Sequence, residues 1–552
     1  MRNFLRKPEV LILLVSSWIA LTCNAGYWSV VAASDTAGDL PAPVYFFSVA
    51  TLTIGLISLV MLILAVGRMT RAVLALALVV GSAAGFFTAR FGILFDPGML
   101  VNVLETNRAE AFELYSPAVL ISVALLGLLP AIVVWRYPFT RRRVPAAILE
   151  RGVALVFSLV LIAGPLLLSQ KEIFSLARNH REIRHMIAPL NVISAGVVLL
   201  RDRFESPVEF KSVALDAVHN SPDGIDGRPQ VHVLIVGETA RAANFSLDGY
   251  VRNTNPELQR HTDVNFVHAS SCGTATAISL PCMFSLSEHT GFDRDASRNQ
   301  DNLLDIASRA GYEVYWIDNG NGCKGVCARV GYRDLHLSDV ETICPDGECY
   351  DEILVHELAR LLPEISKDTL IVLHQLGSHG PAYYRRYPAS YRTFYPDCQS
   401  PNLGDCSNQE IANAYDNTIV YTDHVISAAI DALATQSDRI NASLIYVSDH
   451  GESLGEHNLY LHGMPYKFAP DEQTQVPLIS WFSGAAEETQ GLDFKCPALA
   501  SRAAISHDNL FHTELGLLGI DTSVYEPTLD LYSSCRGRGQ MASTSAVPPG
   551  QI

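Results

Sequence analysis

The sequence predicts a two-part protein: an N-terminal domain of five transmembrane helices, then a larger α/β domain built on a mostly parallel sheet. Three observations carry that prediction. Of the 552 residues, 49% are hydrophobic, and the excess is concentrated in roughly the first 170 positions. Within that region, basic loops alternate with acidic ones. Beyond it, short β-branched runs ending in acidic or imidazole residues alternate with helical patterns. The expected layout is a membrane domain over residues 1–170 and amphipathic bridging helices with a linker over 171–230. An exported α/β domain then fills 231–540, and a flexible tail 541–552.

A helix needs about 20 apolar residues to cross a bilayer. Five stretches are long enough: 10–32, 44–66, 72–93, 117–135 and 152–170. The first is long, lacks a small-residue cleavage site and precedes four more spans, so it reads as an anchor rather than a signal peptide. Basic residues favour the cytoplasmic face. Arg2, Arg6 and Lys7 precede the first span, Arg68 and Arg71 follow the second, and Arg136, Arg141, Arg142, Arg143 and Arg151 separate the fourth from the fifth. The opposite loops carry Asp35, Asp39, Asp96, Glu105, Glu110 and Glu113. The N-terminus is therefore expected in the cytoplasm, and everything after about residue 171 outside it. Glu172–Leu200 has apolar residues at helical spacing among charges, which fits amphipathic helices at the membrane surface or a plain linker helix. A polar loop, "NSPDGIDGRPQ", leads into the second domain. The formal charge of −17 argues against a nucleic-acid partner.

In the second domain four strand-like runs end in chemistry. "VHVLIVGET" delivers Glu238, "YEVYWIDN" Asp318, "TLIVLHQLGSHG" His374 and His379, and "ASLIYVSDHGES" Asp449, His450 and Glu452. In parallel sheets ligands gather at the carboxyl ends of strands. A fifth run, "VNFVHAS", leads to "SSCGTATAISLPC", where a helix beginning near Thr276 would place its hydroxyl at a helix N-terminus. A threonine hydroxyl needs a metal or a base before it can act as a nucleophile. Glu238, Asp449 and His450 are suitable zinc ligands, with Thr276 as a fourth. Taken singly, each has a bland reading: Thr276 as filler, "DHG" as a capped turn, Glu238 as a helix cap. Their coincidence at strand ends carries the inference, together with His379 and His462 in glycine-flanked loops.

Ten of the 11 cysteines follow residue 270. Cys272 and Cys282, Cys323 and Cys327, Cys344 and Cys349, and Cys398 and Cys406 form close couples, which leaves Cys496 and Cys535, far enough apart that their spacing alone leaves a fifth pairing open. Even numbers and short loops fit disulfides in an oxidising compartment. Metal binding is the rival reading, since "CKGVC" resembles half of a zinc site.

In order, "VGETARAANFSLDGY", "SCGTATAISLPCMFS", "GCKGVC", "DGECYDE", "LHQLGSHGP", "YDNTIVYTD", "SDHGESLGEH" and "YLHGMPY" resemble the lipid A phosphoethanolamine transferases, which include the mobile colistin-resistance enzymes. The resemblance covers essentially the whole chain. It implies an alkaline-phosphatase-like domain in which Thr276 carries phosphoethanolamine covalently and Glu238, Asp449 and His450 bind the activating zinc. It also implies that His379 and His462 bind the transferred phosphate or a second, weaker zinc, that Lys324 and His374 line the pocket, and that Glu452 is a further candidate. Asn102 and Glu110, in "NVLETNRAE", are implied head-group contacts. Some family members carry a fifth bridge matching Cys496 and Cys535.

The implied reaction moves phosphoethanolamine from phosphatidylethanolamine to a lipid A phosphate at the bacterial inner membrane, by a monomer, and weakens polymyxin binding. Rival readings place the group on core Kdo or heptose or on a periplasmic glucan. Others make the protein a sulfatase- or phosphodiesterase-type hydrolase, a lipoteichoic-acid synthase or a zinc-bearing lipid sensor.

Overall fold

A computed structural model of the protein describes residues 6–34, 40–106, 111, 114, 116–140, 142–204, 209–220, 227–320, 322–335, 338, 340, 343–345, 348–484, 486–487, 492 and 504–536. Glu110, Cys496 and the 541–552 tail lie outside the described residues. The chain divides into two compact units, the first chiefly Met1–Leu104 with Ala111–Ser206, the second chiefly Pro207–Gly455 with Leu461–Ile552.

The first unit opens with α1 (Pro8–Thr22) and α2 (Ala25–Ala33), then α3 (Ala42–Leu64) and α4 (Thr70–Phe91). The shorter α5 (Pro97–Glu105) precedes α6 (Pro117–Arg136) and α7 (Val144–Leu168). α3, α4, α6 and α7 are each long and apolar enough to cross a membrane. The expected first span over 10–32 is instead a bent pair, with α1 and α2 meeting at 60°. Asn24 is the cause. Its buried amide donates to the carbonyls of Ile19 (2.8 Å) and Ala188 (3.1 Å) and accepts from the Ala188 N–H at 2.7 Å. Gly85 makes room for the break, because a Cβ there would lie 1.6 Å from the Cys23 carbonyl oxygen.

Helix α7 starts eight residues before the expected span, so Glu150 and Arg151 lie inside it. They join an ionic cluster in which Lys7 meets Glu150 at 2.7 Å and Arg142 meets Glu9 at 2.7 Å. Two further helices, α8 (Gln170–Asn179) and α9 (Leu190–Phe204), occupy the bridging segment.

The second unit is built on a seven-stranded sheet. Its strands are β1 (Gln230–Gly237), β2 (Val264–Ser270), β3 (Glu313–Asp318), β4 (Gly331–Asp334), β5 (Thr369–His374), β6 (Asn441–Ser448) and β7 (Gln475–Phe482), in the order β2-β7-β6-β1-β5-β3-β4. All neighbours are parallel except β7, which runs antiparallel to both β2 and β6. Pro477 cannot donate to a ladder. It is tolerated because it pairs only with β2, one residue before the register with β6 begins at Leu478.

Both sheet faces are covered. Leu234, Val236, Val372, Ile445 and Val447 join Phe284, Leu304, Phe511 and Leu515 in one core. That core takes in α10 (Thr276–Met283), α11 (Leu303–Ala310) and, later in the chain, the helix Asp508–Leu517. On the sheet's other face α12 (Glu352–Leu361) packs on α13 (Asn408–Ala434), and α13 on β6. Both long-chain caps are sequence-encoded: Asn302 with Asp305 closes a capping box on α11, and Ser407 with Glu410 does so on α13. That later helix, Asp508–Leu517, is α14. Parallel β1, β5 and β6 therefore end on the same sheet edge, with Glu238, His374 and Asp449 at their tips.

Candidate active site

The site assembles from three chain turns. Glu238 follows β1, Asp449 and His450 follow β6, and Thr276 is the first residue of α10. Thr276 Oγ1 lies 3.0 Å from Glu238 Oε2, 3.2 Å from Oε1 and 3.3 Å from His450 Nε2. His450 Nε2 is also 3.3 Å from Glu238 Oε1 and 3.4 Å from Asp449 Oδ2. The first hydrogen bonds of α10 run from the N–H groups of Ile278 and Ser279 to Ala275, so the N–H groups of Thr276 and Ala277 precede them. That helix end favours negative charge.

The backbone holds these groups by close approach. Asp449 N–H donates to Gly237 O (2.9 Å), and Asp449 Oδ1 accepts from the N–H of His450 (2.7 Å) and of Thr239 (3.2 Å). Thr239 sits at φ 57°, a left-handed conformation disfavoured for a β-branched residue. Local strain of this kind is held by its surroundings; here the Thr239 carbonyl accepts from Tyr415 Oη at 2.7 Å. Cys272–Cys282 closes the loop that bears Thr276. Three further disulfides join Cys323 to Cys327, Cys344 to Cys349 and Cys398 to Cys406. Cys535 is disulfide-bonded.

The burial and charge of the cluster suit a cation. Glu238, Asp449 and His450 are almost completely buried, and their ligand atoms all lie within 4.8 Å of one another. Burial works against ionisation of Glu238, yet the hydrogen bond and charge of His450 hold its carboxyl below the usual range. Burial and then repulsion from Glu238 push Asp449 up to about 6. Burial opposes a charged His450, but Asp449 and Glu238 outweigh it and raise the imidazole to about 10. The two buried carboxylates need a positive partner, which a proton on His450 supplies here and a divalent cation at Nε2 would supply in its place. Asp449 Oδ2 is buried and accepts no hydrogen bond. His450 Nδ1 faces the Gly451 carbonyl at 3.0 Å, which leaves Nε2 as the ligand atom. An imidazole, two carboxylates and a hydroxyl suit a divalent metal such as zinc.

Around this centre the His462 ring lies tilted 4.4 Å from His450 and edge-on 5.4 Å from His379, centroid to centroid. His462 Nδ1 is 3.1 Å from Glu452 Oε2, and Glu452 is fully buried. The loop of His462 is docked onto that of Thr276: Gly463 N–H donates to Thr274 O (2.7 Å), and the Thr274 hydroxyl donates to Met464 O (2.6 Å). His374 is buried at the end of β5, its Nδ1 3.1 Å from Asp318 Oδ2, which also accepts from Trp316 Nε1 at 2.8 Å. Lys324, at φ 49° within the Cys323–Cys327 loop, lines a cleft with Pro281, Ser285, Arg298 and Arg329 whose lining includes neither Thr276, its three neighbours Glu238, Asp449 and His450, nor His374. Asn102 lies on α5 in the membrane unit.

Sequence reasoning missed several supports. Asp351 is fully buried and accepts from the N–H groups of Leu376 and Gly377, both at 2.8 Å, which fixes the loop carrying His379. Ser279 donates to the Asp449 carbonyl. His507, directly before α14, was also missed; the polar run "SHDN" (Ser506–Asn509) that opens this helix was its one signal.

An α/β domain of this topology with a candidate metal cluster, in a chain that also has helices long and apolar enough to cross a membrane, defines a membrane enzyme of the sulfatase and alkaline-phosphatase class. Residues 230–520 match the sulfatase family model, and residues 53–204 match the model of phosphoethanolamine transferase EptA/EptB. The chain is 36% identical over 546 residues to phosphoethanolamine transferase EptA of Escherichia coli (strain K12), covering 97% of this chain and 99% of that one. It is 33% identical to the phosphatidylethanolamine transferase Mcr-1 of Escherichia coli, over 93% and 95% of the two chains. The integral membrane protein lipooligosaccharide phosphoethanolamine transferase A (EptA) from Neisseria meningitidis superposes with a TM-score of 0.91 at 36% identity, covering 95% of this chain and 98% of that one. The chain belongs to the phosphoethanolamine transferase family.

Proposed function

We propose that this transferase moves phosphoethanolamine from phosphatidylethanolamine to a phosphate of lipid A through a covalent phospho-Thr276 intermediate. The observation that carries the reading is the Thr276 hydroxyl, at a helix N-terminus, within 3.3 Å of both Glu238 and His450. Donor and acceptor follow the names of relatives: phosphatidylethanolamine for Mcr-1 and lipooligosaccharide for the Neisseria enzyme. The basic loops and the disulfides support an inner-membrane protein with a cytoplasmic N-terminus and a periplasmic catalytic domain.

Glu238, Asp449, His450 and Thr276 would hold zinc. When bound, that ion supplies the positive charge that lets the hydroxyl react as an alkoxide. Thr276 Oγ1 attacks the donor phosphorus, a new P–O bond forms, and the bond to diacylglycerol breaks; the proton Thr276 gives up ends on the diacylglycerol oxygen, which leaves as the alcohol. The resemblance assigns His379 and Lys324, with the α10 N–H groups, to offset the charge on the non-bridging oxygens. Glu452 holds Nδ1–H of His462, leaving Nε2 for the same oxygens. In the second half an acceptor phosphate oxygen attacks the phosphorus, the bond to Thr276 breaks, and its hydroxyl is restored. The amine delivered to an anionic lipid weakens the attraction of cationic peptides such as polymyxins.

The test is mass spectrometry of lipid A from cells expressing the chain. An added phosphoethanolamine mass on lipid A is expected; the same mass on core sugar would refute the acceptor.

A further inference from the structure

One fully buried imidazole beside the site takes no part in that chemistry. His507 stands at the N-terminus of α14, and its N–H donates to Ser270 O (2.9 Å), while Ser270 N–H donates to Ile505 O (2.8 Å). The segment before α14 is thereby pinned to the end of β2. The side chain then spans two loops. Cys272 N–H lies 3.1 Å from His507 Nδ1, and a peptide N–H can only donate, so Nδ1 is the acceptor and the proton sits on Nε2. That Nε2–H donates to Ser448 O at 3.0 Å. Ser279, three residues along α10 from Thr276, adds a second tie by donating to Asp449 O; its oxygen lies 3.4 Å from His507 Nδ1.

The strands these ties join are not neighbours. β7 lies between β2, which leads to Cys272, and β6, which ends at Ser448. An imidazole is a rigid ring whose two hydrogen-bonding atoms have a fixed separation, so it sets the spacing of the two loops. We propose that His507 and Ser279 form a positioning clamp that holds the Thr276 loop at a fixed distance from Asp449, and so sets both metal affinity and the reactivity of the hydroxyl. Burial, with smaller contributions from His450 and His289, pulls the His507 pKa down to about 3, which keeps the ring in the neutral form the clamp needs. Partners that orient metal ligands are typically worth about 10- to 100-fold in metal affinity.

The clamp rests on the reading of Thr276 and its metal ligands given above. The experiment uses the purified full chain in detergent and measures zinc affinity by chelator competition together with kcat and KM on labelled phosphatidylethanolamine. His507→Asn keeps an acceptor near Cys272 but loses the donor to Ser448, and Ser279→Ala loses one hydroxyl. Each is expected to weaken zinc binding about 10-fold or more and to lower kcat, with KM within about threefold. His507→Gln, which can still reach Ser448, is expected to recover most of the zinc affinity. Zinc affinity and kcat within about threefold of wild type in folded His507→Asn and Ser279→Ala would overturn the clamp. Should His507→Asn not fold, Ser279→Ala decides by the same thresholds. A wild-type chain that binds no zinc sinks both readings. Thr276→Ala that still transfers sinks only the nucleophile assignment, since zinc affinity continues to judge the clamp.

Discussion

The Thr276 hydroxyl sits astride the Glu238 carboxylate, 3.0 Å from one oxygen and 3.2 Å from the other. Glu238 is held ionised, so this hydroxyl is a hydrogen-bond donor whose proton already points at an acceptor. Thr276→Ala deletes the atom that would carry the phosphoryl group and should reduce transfer at least about a thousandfold. Thr276→Ser keeps the oxygen but loses the β-branch that restricts its rotamer, and should retain measurable transfer. Labelled phosphoethanolamine bound to protein, assayed with unchanged melting temperature, separates the two variants.

The buried cluster around Asp449 Oδ2 should be occupied by zinc in the purified protein. Chelation is expected to abolish transfer, and added zinc to restore it. Glu238→Gln removes one of the two carboxylate charges and should weaken zinc binding by at least about 100-fold, because a direct ligand matters more than the oriented groups behind it. Metal content and competitive chelation are the measurements. Full transfer by metal-free protein would refute the assignment.

A steric prediction concerns the loop behind Glu238. Gly377 has φ 56°, and a Cβ there would lie 2.5 Å from Glu238 O and 2.9 Å from Glu238 N. Gly377→Ala must displace the Glu238 backbone, so a loss of about 1–3 kcal/mol in stability should come with loss of zinc and activity. Gly249, at φ 88° with open space around it, is the control. Gly249→Ala meets only the backbone penalty, about 1 kcal/mol, and should leave transfer intact. Denaturant melts and transfer assays on the pair test the contrast.

The sequence made the strand ends legible because their signal is local. Glu238, His374 and Asp449 each close a run of β-branched residues, and the fold carries those runs to one edge of a sheet. The strand β7 was not legible, since Pro477 argues against a ladder unless the register that spares it is known. β4 was hidden for another reason: all four of its residues are exposed, so no apolar pattern marks it. The bend at Asn24 depends on the Ala188 peptide 164 residues away. His507 and Ser279 look like ordinary polar residues until the fold places Cys272, Ser448 and Asp449 beside them.

Acid should unfold the α/β domain partly through His507. An ordinary imidazole titrates near 6.5, and this one is drawn down to about 3 by burial. Between those values the unfolded chain binds a proton at this site and the folded chain does not. Stability therefore falls as pH drops from about 6.5 toward 3, and the site contributes no pH dependence above that window. Each unit of pH inside it is worth about 1.4 kcal/mol. His219 and His512, also lowered by burial, act in the same direction. Asp423 opposes them: burial raises its carboxyl to about 7, so acidification from 7 toward 4 favours the folded state at that site. Comparing wild type with His507→Gln isolates the one contribution. Denaturant melts at pH 7.5, 6.0 and 5.0 should show the wild type losing stability more steeply than the variant, by up to one proton; parallel slopes would refute a neutral buried His507.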